Sequence, residues 1–533
     1  MTNHTHPIQT PHLGNGLAAS KPLNPGDLIV QIPDPYLLVV EKEALDRVCS
    51  YCLLETPLSS LKRCSSCKIV RYCTPTCQKE DWKLIHKREC GVLAKLPAVP
   101  PTAVRALFQY LVRYGGEGLD ERSEGLESHW EEFKRDQKRW DEIVLQARGA
   151  VAFSRTKESK MEMVTRLLCV LSTNAFRATL PDDTPIGLCY TPTLALANHS
   201  CTPNAFIIFS GRRISLHALS PIPQDAQIFI SYIDFTQSLE IRQTELQKRY
   251  FFTCSCPKCT QDLNPYEVLA TTPTDILHNE KLSLLTPYAD LLSQSTSKIP
   301  LIKGLKDELA PLLEDLFKVH PLITLSHTNE SPPERFNFLT QMHLEMSLFR
   351  THNIYALPPY PTVLDEIYLA YVDASRLGAA LIILLFIFLH CDVVNWPQDI
   401  HPVRVTRLFT ISRLLKYISS LSPQELEAEL GCVERGVLEG MDWIDGTHVV
   451  LVVVSELAFL SHGVGSVFVG QVEQELREIE EVQRLRGRTG TAIQEWQSQG
   501  NASKDGTMIA KTVFSSLRAL SGFAFNVIEK NRI

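Results

Sequence analysis

The sequence predicts an α+β protein of several domains, with a strand-rich half interrupted by a cysteine-rich insert and followed by a long helical half. Three observations predict it. Short apolar runs bounded by Gly, Pro and Asp lie on both sides of a cysteine-dense stretch. Eleven of the fifteen cysteines fall into two clusters, seven within 49–90 and four within 201–259. Beyond 260 the apolar residues recur at helical spacing. A length of 533 residues suggests about three or four domains. With 44% hydrophobic and 21% charged residues, the chain has apolar mass for real cores and is neither collagenous nor disordered overall. A net charge of −7 spread over that length argues against a general nucleic-acid coat.

Taken in order, residues 1–48 carry turn punctuation (Gly14, Gly16, Pro22, Pro25, Gly26) and strand-like runs at 28–32 and 36–40. Residues 91–172 read as helical, at 104–114 and 161–171 with a charged stretch around 127–141. Strand signals return at 205–209, 213–216 and 227–233. In the last half, Pro358, Pro359 and Pro361 precede an apolar pattern over 364–389. It reads as a helix, a turn near 373–378 and a second, buried helix. Such a hairpin cannot hide its own apolar face and must stack on neighbours. There is no clean 34-residue repeat, and a tetratricopeptide-like array is one arrangement open to it. The polar, Gly-containing stretch 489–505 is expected to be a surface loop. The longest apolar run, 377–389, has thirteen residues, where a membrane span needs about twenty. It and the run 449–454 read as buried helices, with no membrane partner. The opening MTNHTHPIQTPHLGNG has no apolar core of a secretory signal. The cysteines are therefore expected to bind metal rather than form disulfides, in the nucleus, the cytoplasm or both.

The first cluster runs Cys49-x2-Cys52, Cys64-x2-Cys67, Cys73-x3-Cys77, His86-x3-Cys90. Zinc takes four such ligands in a tetrahedron, so eight make two sites. Interleaved and sequential pairings both satisfy the count. His86 and Cys90 stand one helical turn apart and share a face. The segment is too small for a core of its own, so metal must supply its folding energy. The string is similar to the MYND finger. That resemblance implies cross-bracing, with Cys49, Cys52, Cys73 and Cys77 in one site and Cys64, Cys67, His86 and Cys90 in the other. It also implies a module that binds partner proteins, often through proline-containing peptides. Eight Lys/Arg against four acids in 49–90 make the finger positive within an acidic chain. That surface suits an acidic partner or, less readily, nucleic acid.

In the second cluster, Cys254-x-Cys256-x2-Cys259 supplies three ligands, and a closed structural zinc needs a fourth. The other cysteine of this neighbourhood is Cys201, fifty-three residues upstream in N-H-S-C-x-P-N (198–204). A third zinc shared by these four would staple the 254–259 flap onto a distant loop.

N-H-S-C-x-P-N, then Ile230-Ser231-Tyr232-Ile233-Asp234, then the C-x-C-x2-C flap, together resemble a SET domain and its post-SET segment. With the finger near the start, the chain resembles the SET-and-MYND family of lysine methyltransferases over about residues 10–260. The resemblance implies a β-rich SET core (1–48 and 173–245), the inserted two-zinc MYND finger (49–90), a helical insert (91–172), a post-SET flap (246–260) and a helical C-terminal domain (261–533). It implies S-adenosyl-L-methionine as cofactor beside three zinc ions, and a protein substrate offering a lysine. Gly14, Asn15 and Gly16 resemble the opening turn whose backbone lies against that cofactor. Asn174 would approach the cofactor and Phe176 would wall the lysine channel. Asn198 and His199 would contact the cofactor, Tyr232 would be catalytic and also touch it, Tyr250 would complete the channel and Phe252 the cofactor lid.

The chemistry needs such residues. A lysine amine of pKa about 10.4 costs about 4–5 kcal/mol to deprotonate at pH 7. An aromatic channel disfavours the ammonium and lowers that pKa, and ring faces attract cationic groups. Four positions depart from the family wording. Leu13 stands where a cation is common, Ala175 and Ala195 where Ser is common, and Cys189 within the Gly-x-x-Leu-Tyr-Pro stretch. Each lost neutral hydrogen bond is expected to weaken cofactor binding by about 0.5–1.5 kcal/mol. The alternative these departures motivate is a non-catalytic MYND adaptor or transcriptional co-regulator that gathers partner proteins. Oligomeric state is not legible in the sequence.

Overall fold

The computed structural model describes residues 3–114, 125–272, 278–325, 332–486 and 490–530. It divides into two compact units, Met1–Ile233 with Gln243–Cys254, and Asp234–Arg242 with Ser255–Ile533.

The first unit is built on small antiparallel sheets. Thr5–Thr10 pairs with Gly14–Ala19 as a hairpin closed at Thr10↔Gly14, and Gly14 sits in the left-handed region at φ 68°, which glycine adopts without steric cost. Ala205–Ser210, Arg213–Ala218 and Leu28–Ile32 form a second sheet, and Leu37–Val40, Pro185–Tyr190 and Phe176–Thr179 a third. Asn198–His199 runs parallel to Phe229–Ile230. The strand Leu37–Val40 shows why an unbroken apolar run can be a strand. Leu38 and Val40 face the strand core, with Leu17, Ile29 and Leu216. Leu37 and Val39 face a helical core, with Leu107, Tyr110 and Leu168. Both faces are covered, so the usual alternation with polar residues disappears. The helices Thr102–Tyr114, Trp130–Arg135, Gln137–Ser154 and Met161–Asn174 supply that second core. Gly187 lies under this strand because a Cβ there would stand 2.2 Å from the Val39 carbonyl oxygen.

The expected strand at 227–233 shortens to Phe229–Ile230. The ladder stops because the Tyr232 amide donates to His199 Nδ1 at 3.1 Å rather than to a neighbouring strand.

The second unit is helical among its described residues. Tyr360–Asp373 and Leu377–Ile387 form the expected hairpin, turning at 374–376. Every residue from Gly378 to Ile387 is buried, as a helix apolar all round requires. Two readings need correction. The apolar run at 377 does not end its helix at thirteen residues. The helix continues through a π-helical turn, Phe388–Asp392, to give Leu377–Asn395. It continues because buried Asp392 pairs with Arg407, whose guanidinium also holds Asp365 at 2.7 Å. This helix and Trp443–His462 are long and apolar enough to cross a membrane by length and composition, so length does not exclude it. Their apolar windows are 83% and 78% buried within the protein, as the reading of buried helices requires. The second correction is the loop expected at 489–505. Apart from residue 489, which lies outside the described residues, it is a helix, Gly490–Gln499, a 3₁₀ turn, Gly500–Ala502, and the start of Lys504–Ser521. Ile493 and Trp496, one turn apart, are fully buried, and their polar neighbours form the outer face of an amphipathic helix.

Candidate active site and metal centres

Three ligand clusters come together: Cys49, Cys52, Cys73 and Cys77; Cys64, Cys67, His86 and Cys90; and Cys201, Cys254, Cys256 and Cys259. Within each, one ligand atom per residue lies within 4.8 Å of all the others. The finger is therefore interleaved, and Cys201 joins the distant flap. Sulfurs about 2.3 Å from a tetrahedral zinc stand about 3.8 Å apart. The observed Cys52–Cys73, Cys73–Cys77 and Cys64–Cys90 separations are 3.6, 3.5 and 3.8 Å. His86 Nε2 lies 3.3 Å from Cys64 Sγ and 3.7 Å from Cys67 Sγ. These donors fit zinc, and no hard-cation ligand set is present among them.

Local sequence delivers the ligands. The ribbon Lys62–Arg63 with Arg71–Tyr72 brings Cys64 and Cys73 to the two ends of one hairpin. Thr74 caps the helix Pro75–Asp81, accepting from the Cys77 amide at 3.1 Å, with Pro75 at the first helical position. That pair of residues is a strong helix start. Around the second cluster lies a shell the sequence did not announce. His86 Nδ1 is 4.0 Å from Glu89 Oε2. Glu89 accepts from Arg105 Nε at 2.9 Å, and Arg105 also donates to the Val40 carbonyl at 2.8 Å. All three side chains are buried. Burial alone would raise the Glu89 carboxyl, but the charge and hydrogen bond of Arg105, with His86 nearby, hold it at about 2. Glu89, at i+3 from His86, could have been suspected from spacing. Arg105 could not.

Near the third cluster, the predicted residues meet. His199 Nε2 lies 3.3 Å from Cys201 Sγ while Nδ1 accepts from the Tyr232 amide at 3.1 Å. One imidazole thus links the tyrosine backbone to a metal ligand. The Tyr232 hydroxyl donates to the Ala197 carbonyl at 2.8 Å, and the Tyr250 hydroxyl to the Tyr232 carbonyl at 3.2 Å. Rings of His199, Tyr250 and Phe252 stand 5.3, 4.9 and 6.4 Å from the Tyr232 ring. Burial pushes the Tyr232 phenol well above its ordinary range, Tyr250 adding to it, so the group is a neutral hydroxyl at physiological pH. Phe176 packs against the same strand core as Tyr232.

A second group of predicted residues meets at the hairpin turn. The Asn198 amide donates to the Asn15 carbonyl at 3.0 Å. A Cβ on Gly16 would lie 3.1 Å from Asn198 Nδ2 and 2.4 Å from Gln227 Nε2. Gln227 Nε2 is buried without a hydrogen-bond partner, a feature the sequence reading missed. Asn15 and Asn174 donate to the carbonyls of Gly125 and Glu127, at 2.7 and 3.0 Å. The segment at 125–127 therefore ties these two predicted positions together. It carries no motif because it contributes only backbone oxygens. Leu13 is exposed and offers no cation.

The MYND finger family model matches residues 49–90. The chain is 34% identical over 274 residues to the SET domain and MYND-type zinc finger protein 6 of Schizosaccharomyces pombe, covering 51% of this chain and 55% of that one. It is 32% identical over 269 residues to the mouse histone-lysine N-methyltransferase SMYD3, covering 48% and 61%. It is 29% identical over 259 residues to the human N-lysine methyltransferase SMYD2, covering 47% and 59%. The chain spans little more than half the length of the curated relatives it matches. It therefore carries a MYND finger, and its resemblance to SET and MYND domain-containing proteins is shown over about half of its length.

Proposed function

We propose that the first unit is a SET-type core and that the protein transfers a methyl group from S-adenosyl-L-methionine to a lysine side chain of a protein substrate. The observation that carries this is the constellation of His199, Tyr232, Tyr250 and Phe252, whose rings gather around Tyr232, with His199 and Tyr250 hydrogen-bonded to the Tyr232 backbone and His199 against Cys201. Bound S-adenosyl-L-methionine would supply an electrophilic methyl on a sulfonium. The chain's own groups fit such a ligand. The Gly14–Gly16 turn presents bare backbone, Asn198 orients it, and the orphaned Gln227 donor lies beside it.

The substrate lysine must arrive neutral and in line. The ring faces of Tyr232, Tyr250 and Phe252 disfavour its hydrated ammonium. Because the Tyr232 hydroxyl gives its proton to the Ala197 carbonyl, its lone pairs are left as acceptors that can orient an amine. Positioning of this kind supplies much of the rate in a displacement that asks for no acid or base from the protein. Both His199 nitrogens are engaged inside the protein, so its part is to fix the Tyr232 backbone, and it would meet a ligand through its ring. The finger adds a surface for protein partners, proline-containing peptides among them. Leu54, Leu58 and Trp82 are exposed apolar side chains on a positively charged module.

Calorimetric titration of the zinc-loaded chain with S-adenosyl-L-methionine tests the reading. Saturable heat is expected, with Asn198→Ala weakening affinity about fivefold to tenfold, the value of about one hydrogen bond. No heat and no thermal shift at millimolar cofactor would favour the adaptor.

A further inference from the structure

The chain directly after the helix Leu239–Tyr250 carries a strained turn. The Phe251 amide donates to the Gln247 carbonyl at 3.2 Å, and Phe251 itself sits at φ 63°. This is the left-handed cap that usually ends a helix with glycine. A bulky aromatic residue there is a genuine outlier, and such outliers persist only where the surroundings over-determine them.

The surroundings come from the helical insert. The Phe251 ring stands 4.9 Å from Phe133 and 5.1 Å from His129, away from the cluster that its neighbours Tyr250 and Phe252 form with Tyr232. The Arg139 guanidinium lies 4.9 Å over the Phe251 ring and 4.4 Å over Phe133. Its Nη1 donates to the Lys248 carbonyl at 2.7 Å. That carbonyl is one of the orphan acceptors at a helix end, where a cation is favoured. Arg139 lies in the first turn of its own helix, Gln137–Ser154, where a cation opposes the helix dipole. Its placement is not explained by its own helix. It is explained by the neighbour it caps.

We propose that Arg139 and Phe251 are positioning residues for the candidate active site. Together they pin the helix end in its left-handed turn, so that Tyr250 and Phe252 are presented to Tyr232 on a rigid bracket. The proposal rests on the methyltransferase reading for its purpose, but not for its geometry.

The test is hydrogen exchange on the full zinc-loaded chain without cofactor, comparing wild type with Arg139→Gln and Phe251→Ala. Amides 250–254 are expected to exchange about tenfold faster in both variants, as a local opening does. The finger ribbon at 62–72 should exchange at the wild-type rate, and three zincs should remain. Unchanged exchange at 250–254, or an increase spread evenly over the unit, would overturn the proposal. Where wild type transfers methyl groups, Arg139→Gln should lower kcat per folded molecule, and because the bracket also carries Phe252, assigned to the cofactor lid, affinity for S-adenosyl-L-methionine should weaken with it. Wild type without transfer would sink the methyltransferase reading and leave the exchange result to decide the bracket by itself.

Discussion

Cys64→Ser should cost the finger its second zinc and, with it, its fold. A structural zinc contributes about 10–16 kcal/mol of apparent folding free energy in small finger modules. The apolar residues packed among these ligands are few: Leu61, Val70, Tyr72 and Leu93. Nothing of that size can replace the metal. Zinc released on denaturation, measured with a chromogenic chelator, should fall from three ions per chain to two or fewer. Exchange protection of the Lys62–Arg63 and Arg71–Tyr72 ribbon should be lost as well. Three ions retained, with the ribbon protected, would mean that the Cys64, Cys67, His86 and Cys90 cluster is not a metal site.

Arg105→Met should be the most damaging substitution outside the ligands. Methionine keeps much of the volume but removes the charge that faces Glu89 at 2.9 Å. The carboxylate then stays buried without its partner, and breaking such a pair costs about 3–5 kcal/mol. For a unit of this size that corresponds to a fall in Tm of about 10 °C. Replacing both partners, as Arg105→Met with Glu89→Leu, should recover most of the loss, because the stranded charge is gone. Thermal unfolding of the two single variants and the double variant measures this. A single variant with wild-type Tm would show that the pair carries no stability.

Legibility in the sequence followed locality. Ligand spacing was enough to read the finger as a two-zinc module. The choice between interleaved and sequential pairing depends on which ends the 62–72 ribbon brings together, and spacing holds no record of that. Cys201 was legible by elimination, since it lacks a local partner. Leu37–Val40 read correctly as a strand although it has no alternation, because turn residues bound it. The stretch 489–505 misled because Ile493 and Trp496 are the only buried apolar side chains of the helix Gly490–Gln499, too few to show a period among glycines and polar residues. The apolar run at 377 misled for the opposite reason. His390 and Asp392 end the run in sequence but not the helix, because Arg407, distant in the chain, pairs with Asp392. Glu89 aside, the missed positions were those reached through distant contacts. Arg105, Arg139, Ala197, Gly125 and Glu127 act through backbone carbonyls or partners far along the chain, and no spacing rule encodes such contacts.

The most direct test of the central claim is methyl transfer itself. The zinc-loaded chain and its Tyr232→Phe variant would each be incubated with radiolabelled S-adenosyl-L-methionine and a whole-cell extract. Labelled protein would then be hydrolysed and scored for methyl-lysine. We predict labelled lysine with wild type, and a loss of about a hundredfold or more with Tyr232→Phe, the scale seen when a well-oriented group is lost from a positioned site. Both proteins should retain three zincs. Equal labelling by both would contradict the role of Tyr232, and no labelled lysine with wild type would contradict the account as a whole.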